Sequence, residues 1–187
     1  MNIAQQKRKE NIAEYIIYLW QLEDMLRAMK FSAEQIYLKL VEPRGLSKES
    51  EEEYLVWYMD IVNLLREENK EKVGHLDHTL HLIADLHNLH LQLLTLPVGK
   101  HYAELFKTLE PHLLTLRTAL QRHDVSDTEL CFRAVYAALL YKIKGINNHS
   151  VTDTVELVSP VLAELARIYM AAERGEIDLY NMDDDAL

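Results

Sequence analysis

Five of the nine histidines, His75, His78, His81, His87 and His90, are concentrated in one stretch of this chain, and imidazole is the side chain best suited to chemistry near neutral pH. A helix over this stretch turns about 100° per residue, which puts His78, His81 and Asp85 on one narrow polar stripe beside Asp77 and Asn88. The same geometry points His75, His87 and His90 among Leu76, Leu80, Ile83, Leu86 and Leu94. Two imidazoles and a carboxylate at i, i+3 and i+7 come together on neighbouring turns, so His78, His81 and Asp85 are candidate ligands for a divalent metal. A fourth ligand would come from the next helix, where His101, His112 and His123 recur every eleven residues on the face of Leu105, Leu109 and Leu116. That register would let the two helices pack His against His.

The competing reading is that these imidazoles border an apolar stripe, bond to a carbonyl or carboxylate, and pack. The sequence favours it, because it has no His-Glu-x-x-His, no Glu-x-x-His pair of the di-iron bundles and no Cys/His cluster. A phosphoryl-accepting or proton-sensing histidine is the remaining alternative. Aspartates beside His78 and His81, where a phosphoryl group needs cations, weigh against the former. No cofactor is expected; a divalent metal is the one exception to be tested.

Glu23 and Arg27 form the second candidate. They project beside Ile12, Ile16, Trp20 and Leu26 in the i, i+4 order that suits an ion pair. A partly buried pair needs further donors and acceptors, which the hydroxyls of Tyr15, Tyr18, Tyr37, Tyr54 and Tyr58 could supply. Tyr15, Glu23 and Arg27 are therefore candidate ligand-binding residues, against the plainer reading of a polar contact that fixes helix register. Ten tyrosines against three phenylalanines make a hydroxyl-lined groove plausible.

Composition narrows the classes. A net charge of −10 and 49% hydrophobic residues argue for one well-filled domain and against nucleic acid or an anionic membrane as partner. The lone Cys131 lies in an apolar run and reads as a small hydrophobe. Lys7, Arg8 and Lys9 ahead of an apolar stretch imitate a signal peptide, but Glu10 and Glu14 interrupt it and no cleavage site follows, so a cytoplasmic protein is expected. No stretch is long enough to span a bilayer. Isolated glycines and serines punctuate helices, leaving no phosphate-cradling loop and no Gly-x-Ser-x-Gly turn.

The expected architecture is a single-domain all-α bundle of six to seven helices over residues 1–174, followed by an acidic, fraying tail over 175–187. The helices run from Ile3 to Lys30, after Ser32 with a Gln35 capping box, from Ser50 boxed by Glu53, and from Gly74 to Leu96. Three more run to His123 with a kink at Pro111, from Ser126 boxed by Glu129 to Gly145, and from Thr152 to Arg174 with a fresh cap at Ser159-Pro160. Gly74 would either end the helix before it or permit a bend into the next. The apolar helix over 126–144 is expected at the centre. The tail alternates acidic and apolar side chains from Glu176 to Asp183, a pattern able to fold onto a partner or onto the domain itself.

Residues Glu10 to Ala28, with Tyr15, Trp20, Glu23, Asp24 and Arg27 as the specific part, resemble the opening of an uncharacterised bacterial all-helical family, a domain of unknown function. The resemblance implies an all-α fold over nearly the whole chain and transfers no activity or ligand to any residue. The expected function is therefore a non-enzymatic helical scaffold or protein-interaction domain, with an unknown protein partner or self-association as a homodimer. The alternatives are a metal-binding bundle, acting as hydrolase or sensor, and a small-molecule-binding bundle around Glu23, Arg27 and the tyrosines.

Overall fold

Asn11 divides what the sequence reads as one helix from Ile3 to Lys30. Its side-chain oxygen accepts from the backbone N–H of Ala13 at 3.0 Å and Glu14 at 3.2 Å, so it caps α2 (Ile12–Ala28) while α1 (Ile3–Glu10) stops before it. This computed structural model describes residues 3–146 and 149–179, and among them it is all α with no strand. Beyond Met29, Lys30 and Phe31 take left-handed φ of 54° and 58° and turn the chain without a glycine. Ser32 then caps α3 (Ala33–Ile36) through the Gln35 N–H, but the expected box stays half made, since the Ser32 N–H donates to the Met29 carbonyl instead. A wide π turn over Tyr37–Val41 and a 3-10 turn over Glu42–Arg44 complete this corner.

The next helix, α4 (Lys48–Glu67), starts earlier than expected. Ser47, not Ser50, is its cap, because the Ser47 hydroxyl already accepts the Ser50 N–H at 3.4 Å and leaves Ser50 inside the first turn. The helix also ends well short of Gly74. Residues 68–76 cross to α5 (Asp77–Leu93) as a loop, and Glu68 closes the entry to α5 by accepting the Asp77 N–H at 2.8 Å. Pro97–Gly99 form a tight turn into α6 (Lys100–Leu109), and Pro111 does more than kink: Glu110–His112 become a 3-10 turn that separates α6 from α7 (Leu113–Leu120). Ser126 caps α8 (Asp127–Ile143) through the Glu129 N–H at 3.1 Å, while the Glu129 carboxylate turns to Arg133 instead of closing the box.

The last helix, α9 (His149–Glu173), runs unbroken through Ser159-Pro160, so the expected fresh cap is absent. Pro160 faces solvent while Val158 and Val161 on either side are buried, so packing holds the helix across the missing backbone bond. Leu179, beyond the helix, packs back against the core; the rest of the acidic tail lies outside the described residues.

The core has two parts. The larger joins Ile12, Ile16 and Trp20 of α2 to Leu86, Phe106, Phe132 and Leu165 from α5, α6, α8 and α9. The smaller joins Leu19, Leu22 and Leu26 of α2 to Ile36, Tyr58, Val62 and Leu65 from α3 and α4. Helix α2 feeds both. The first half of α8 is central, as expected, with Leu130, Phe132, Ala134 and Tyr136 buried, but its second half emerges and exposes 47% of Tyr141 and 58% of Ile143. Cys131 is buried, and burial pushes its thiol up to about 12, which removes the thiolate at neutral pH.

Candidate functional site

Trp20, Glu23, Asp24 and Arg27 occupy successive turns of α2, and the loop 68–76 folds over them. Glu23 is fully buried. Its Oε2 accepts from His75 Nδ1 at 2.8 Å and its Oε1 from the Leu76 backbone N–H at 3.2 Å. Arg27 Nη2 lies 3.7 Å from the same carboxylate. The rest of the Arg27 fork is spent on the loop backbone: Nε and Nη2 donate to the Lys70 carbonyl at 3.1 and 3.0 Å, and Nη2 to the Gly74 carbonyl at 2.5 Å. Its Nη1 donates to Asp24 at 2.7 Å. A planar cation is the group able to reach acceptors in several directions at once.

The rings complete the arrangement. His75 stacks on Trp20 with centroids 3.9 Å apart and planes 9° from parallel, and Tyr136 of α8 stands edge-on to both. The Tyr136 hydroxyl donates to Asp24 at 2.6 Å and also reaches the Trp20 carbonyl; burial and the Asp24 bond raise its pKa, keeping the proton on the phenol. Trp20 Nε1 donates to Thr79, whose hydroxyl donates to the Leu76 carbonyl at 2.8 Å. Among the described residues no buried side-chain nitrogen or oxygen lacks a partner. The network ties α2, the loop, α5 and α8 into one unit, which is the chemistry of a clasp.

The structure thus brings Glu23 and Arg27 together but takes Tyr15 elsewhere: its hydroxyl shares a 3.1 Å hydrogen bond with His78 Nε2. Burial, then the charges of Arg8 and His81, lower the His78 pKa. His81 and Asp85 are exposed on α5, and among the described residues no group of three or more His, Cys, Asp or Glu side chains could hold a metal ion. The expected pairing of histidines between neighbouring helices is corrected. His101 is exposed because α6 buries the face of Tyr102, Phe106 and Leu109, and His112 and His123, beyond the turn at Pro111, are exposed as well; the imidazoles that stack are His87 and His90 of α5 itself, 5.3 Å apart. His90 is buried against Tyr102 and Phe106 of α6 and bonds the Tyr102 hydroxyl at 2.7 Å.

Sequence reasoning placed His75 on the helix among leucines and missed its role, since the contact with Glu23 joins segments far apart in the chain. Tyr18, Tyr54 and Tyr58 also gather away from Arg27, around Arg44. Comparison with known proteins finds no match among curated proteins and none among solved structures. A family model does match residues 1–176, and the chain belongs to the family described as Domain of unknown function (DUF4924).

Proposed function

We propose that this protein is a helical interaction module that pairs with a second copy of itself through the free end of the α8–α9 hairpin. The observation that carries this is the emergence of α8 from its own core with an apolar surface: Tyr141 is 47%, Ile143 58% and Ile146 46% exposed. Two clefts flank the seam between α8 and α9 and share Ala138 and Val151. The larger, about 510 Å³, is lined by Val135, Leu139, Ile146 and Val155 with Lys142 and Glu156 at its edge. Contiguous apolar surface of this kind marks contact sites.

Charge selects the occupant. The chain carries −10 overall, so most of its surface repels a second copy. Residues 141–156 contain two lysines, Lys142 and Lys144, and two carboxylates, Asp153 and Glu156, which cancel. Among the described residues none of the four enters an ion pair. In a two-fold arrangement the lysines at the end of α8 in one copy face the carboxylates at the start of α9 in the other, and two hairpins close a four-helix contact.

Sedimentation of the full chain tests this. Wild type should sediment as a dimer, and Ile143→Asp should weaken association at least tenfold, about 1.4 kcal/mol, while keeping the helical content of the wild type. A photocrosslinking residue at position 143 separates the occupants: a crosslink to another protein keeps the surface and replaces the second copy, and a monomeric wild type without any crosslink sinks the reading.

A further inference from the structure

Nine arginines are present, and seven of them, Arg8, Arg27, Arg66, Arg117, Arg133, Arg167 and Arg174, pair with carboxylates. Among the described residues Arg122 and Arg44 do not, and Arg122 is exposed to water. Arg44 is half-buried, and its partners are all neutral. Its Nε donates to the Leu40 carbonyl at 2.8 Å and its Nη2 to the Tyr58 hydroxyl at 3.0 Å. The guanidinium lies 4.9 Å from the centroid of the Tyr54 ring, and the Tyr18 hydroxyl bonds it from α2. Glu51, the acidic side chain one turn before Tyr54, is taken by the Tyr37 hydroxyl at 2.9 Å.

A partly desolvated cation gains most from a charged, bidentate partner, and a guanidinium has five donors. Those bonds leave donors unspent. We propose that Arg44, framed by Tyr18, Tyr54 and Tyr58, binds a compact oxyanion, a carboxylate or phosphate group presented by a small ligand. The fork of Arg44 takes two of its oxygens, while the Tyr58 hydroxyl, buried and hydrogen-bonded to Tyr18, accepts from Nη2 and holds the guanidinium in place. The phenols are suited to this: burial raises Tyr58, and pushes Tyr18 up to about 12, so both keep their protons at neutral pH. The site is assembled from three elements, α2, the turn at Glu42–Arg44 and α4, so an occupant would brace the smaller core. The site is a different one from the α8–α9 surface and stands or falls apart from it.

Trp57 reports on this site because its ring centroid lies 4.9 Å from that of Tyr58, whereas the other tryptophan, Trp20, belongs to the larger core. The experiment titrates the full chain with inorganic phosphate, and separately with acetate, at constant ionic strength, following both indole N–H signals by NMR. A saturable shift of Trp57 with Trp20 unmoved supports the site, and which anion saturates tells phosphoryl from carboxylate ligands. Arg44→Gln should weaken binding at least tenfold. Tyr18→Phe keeps the ring and the guanidinium, so it should weaken binding several-fold in a folded protein even if Arg44→Gln disturbs the turn. Non-saturating shifts, or wild-type curves in both variants, overturn the proposal.

Discussion

His90 shows how a single residue sets a condition on folding. Its imidazole is 2% exposed, and burial, followed by the charge of neighbouring His87, lowers its pKa to about 4, with Asp127 opposing. Tyr102 faces it from α6 with a phenol that burial raises. The unfolded chain, with an ordinary histidine near 6.5, therefore takes up the proton first. Stability should be flat above about pH 7 and fall as pH drops from about 6.5 toward 4, by at most about 1.4 kcal/mol per pH unit from this group. Replacing both partners at once, His90→Phe with Tyr102→Phe, removes the titration without stranding a hydroxyl, so denaturation across that range should show a shallower slope. An unchanged slope would assign the acid sensitivity to other groups. The burial of His90 was legible in the sequence because it follows the period of its own helix. The clasp of Glu23 with His75 was not, and neither was the tyrosine cage of Arg44, because both depend on turns that bring distant segments together.

At the scale of elements, the sequence exposed the helices and several of their caps, Ser32 and Ser126 among them, and read as a kink at Pro111 what is a break between two helices. It misjudged ends made by residues other than glycine and proline. Asn11 starts a helix as an ordinary extended cap, and Asn69 and Gln121 follow helix ends in the left-handed region without a glycine to mark the place. Gly99 is the opposite case: it reads as a helix stop, yet its φ of −87° is open to any residue. Its need for glycine comes from packing. A Cβ there would sit 1.9 Å from the Leu93 carbonyl oxygen and 2.6 Å from the Leu93 Cα, all backbone atoms of the helix before it. Gly99→Ala should therefore cost about 3 kcal/mol by forcing α5 and α6 apart. Gly45, with φ of +61° and open space around the missing Cβ, should cost only about 1 kcal/mol on the same change. Urea denaturation of the two variants measures the difference, and equal costs would mean that the turn at Pro97–Gly99 yields easily.

For the whole molecule, the decisive feature is that two cores share one helix. Tyr58, Ile61, Val62 and Leu65 of α4 pack on the second half of α2 and on α3, while α5, α6, α8 and α9 enclose the first half. The clasp at Glu23 and Arg27 joins them a second time, by fixing the loop that leads from α4 to α5. Glu23→Ala would leave His75 Nδ1 and the Leu76 N–H without their acceptor and Arg27 without a buried counter-charge, a loss of about 3 kcal/mol. That loss falls on the connection and leaves the apolar contacts of the larger core intact. Opening should therefore become local: amide exchange at Val62 and Leu65 in α4 should accelerate far more than at Phe132 in α8 or Leu165 in α9, because the smaller core can separate before the larger one unfolds. Equal acceleration at all four positions would show that α2 alone couples the two cores, and that the clasp adds stability without holding the halves together.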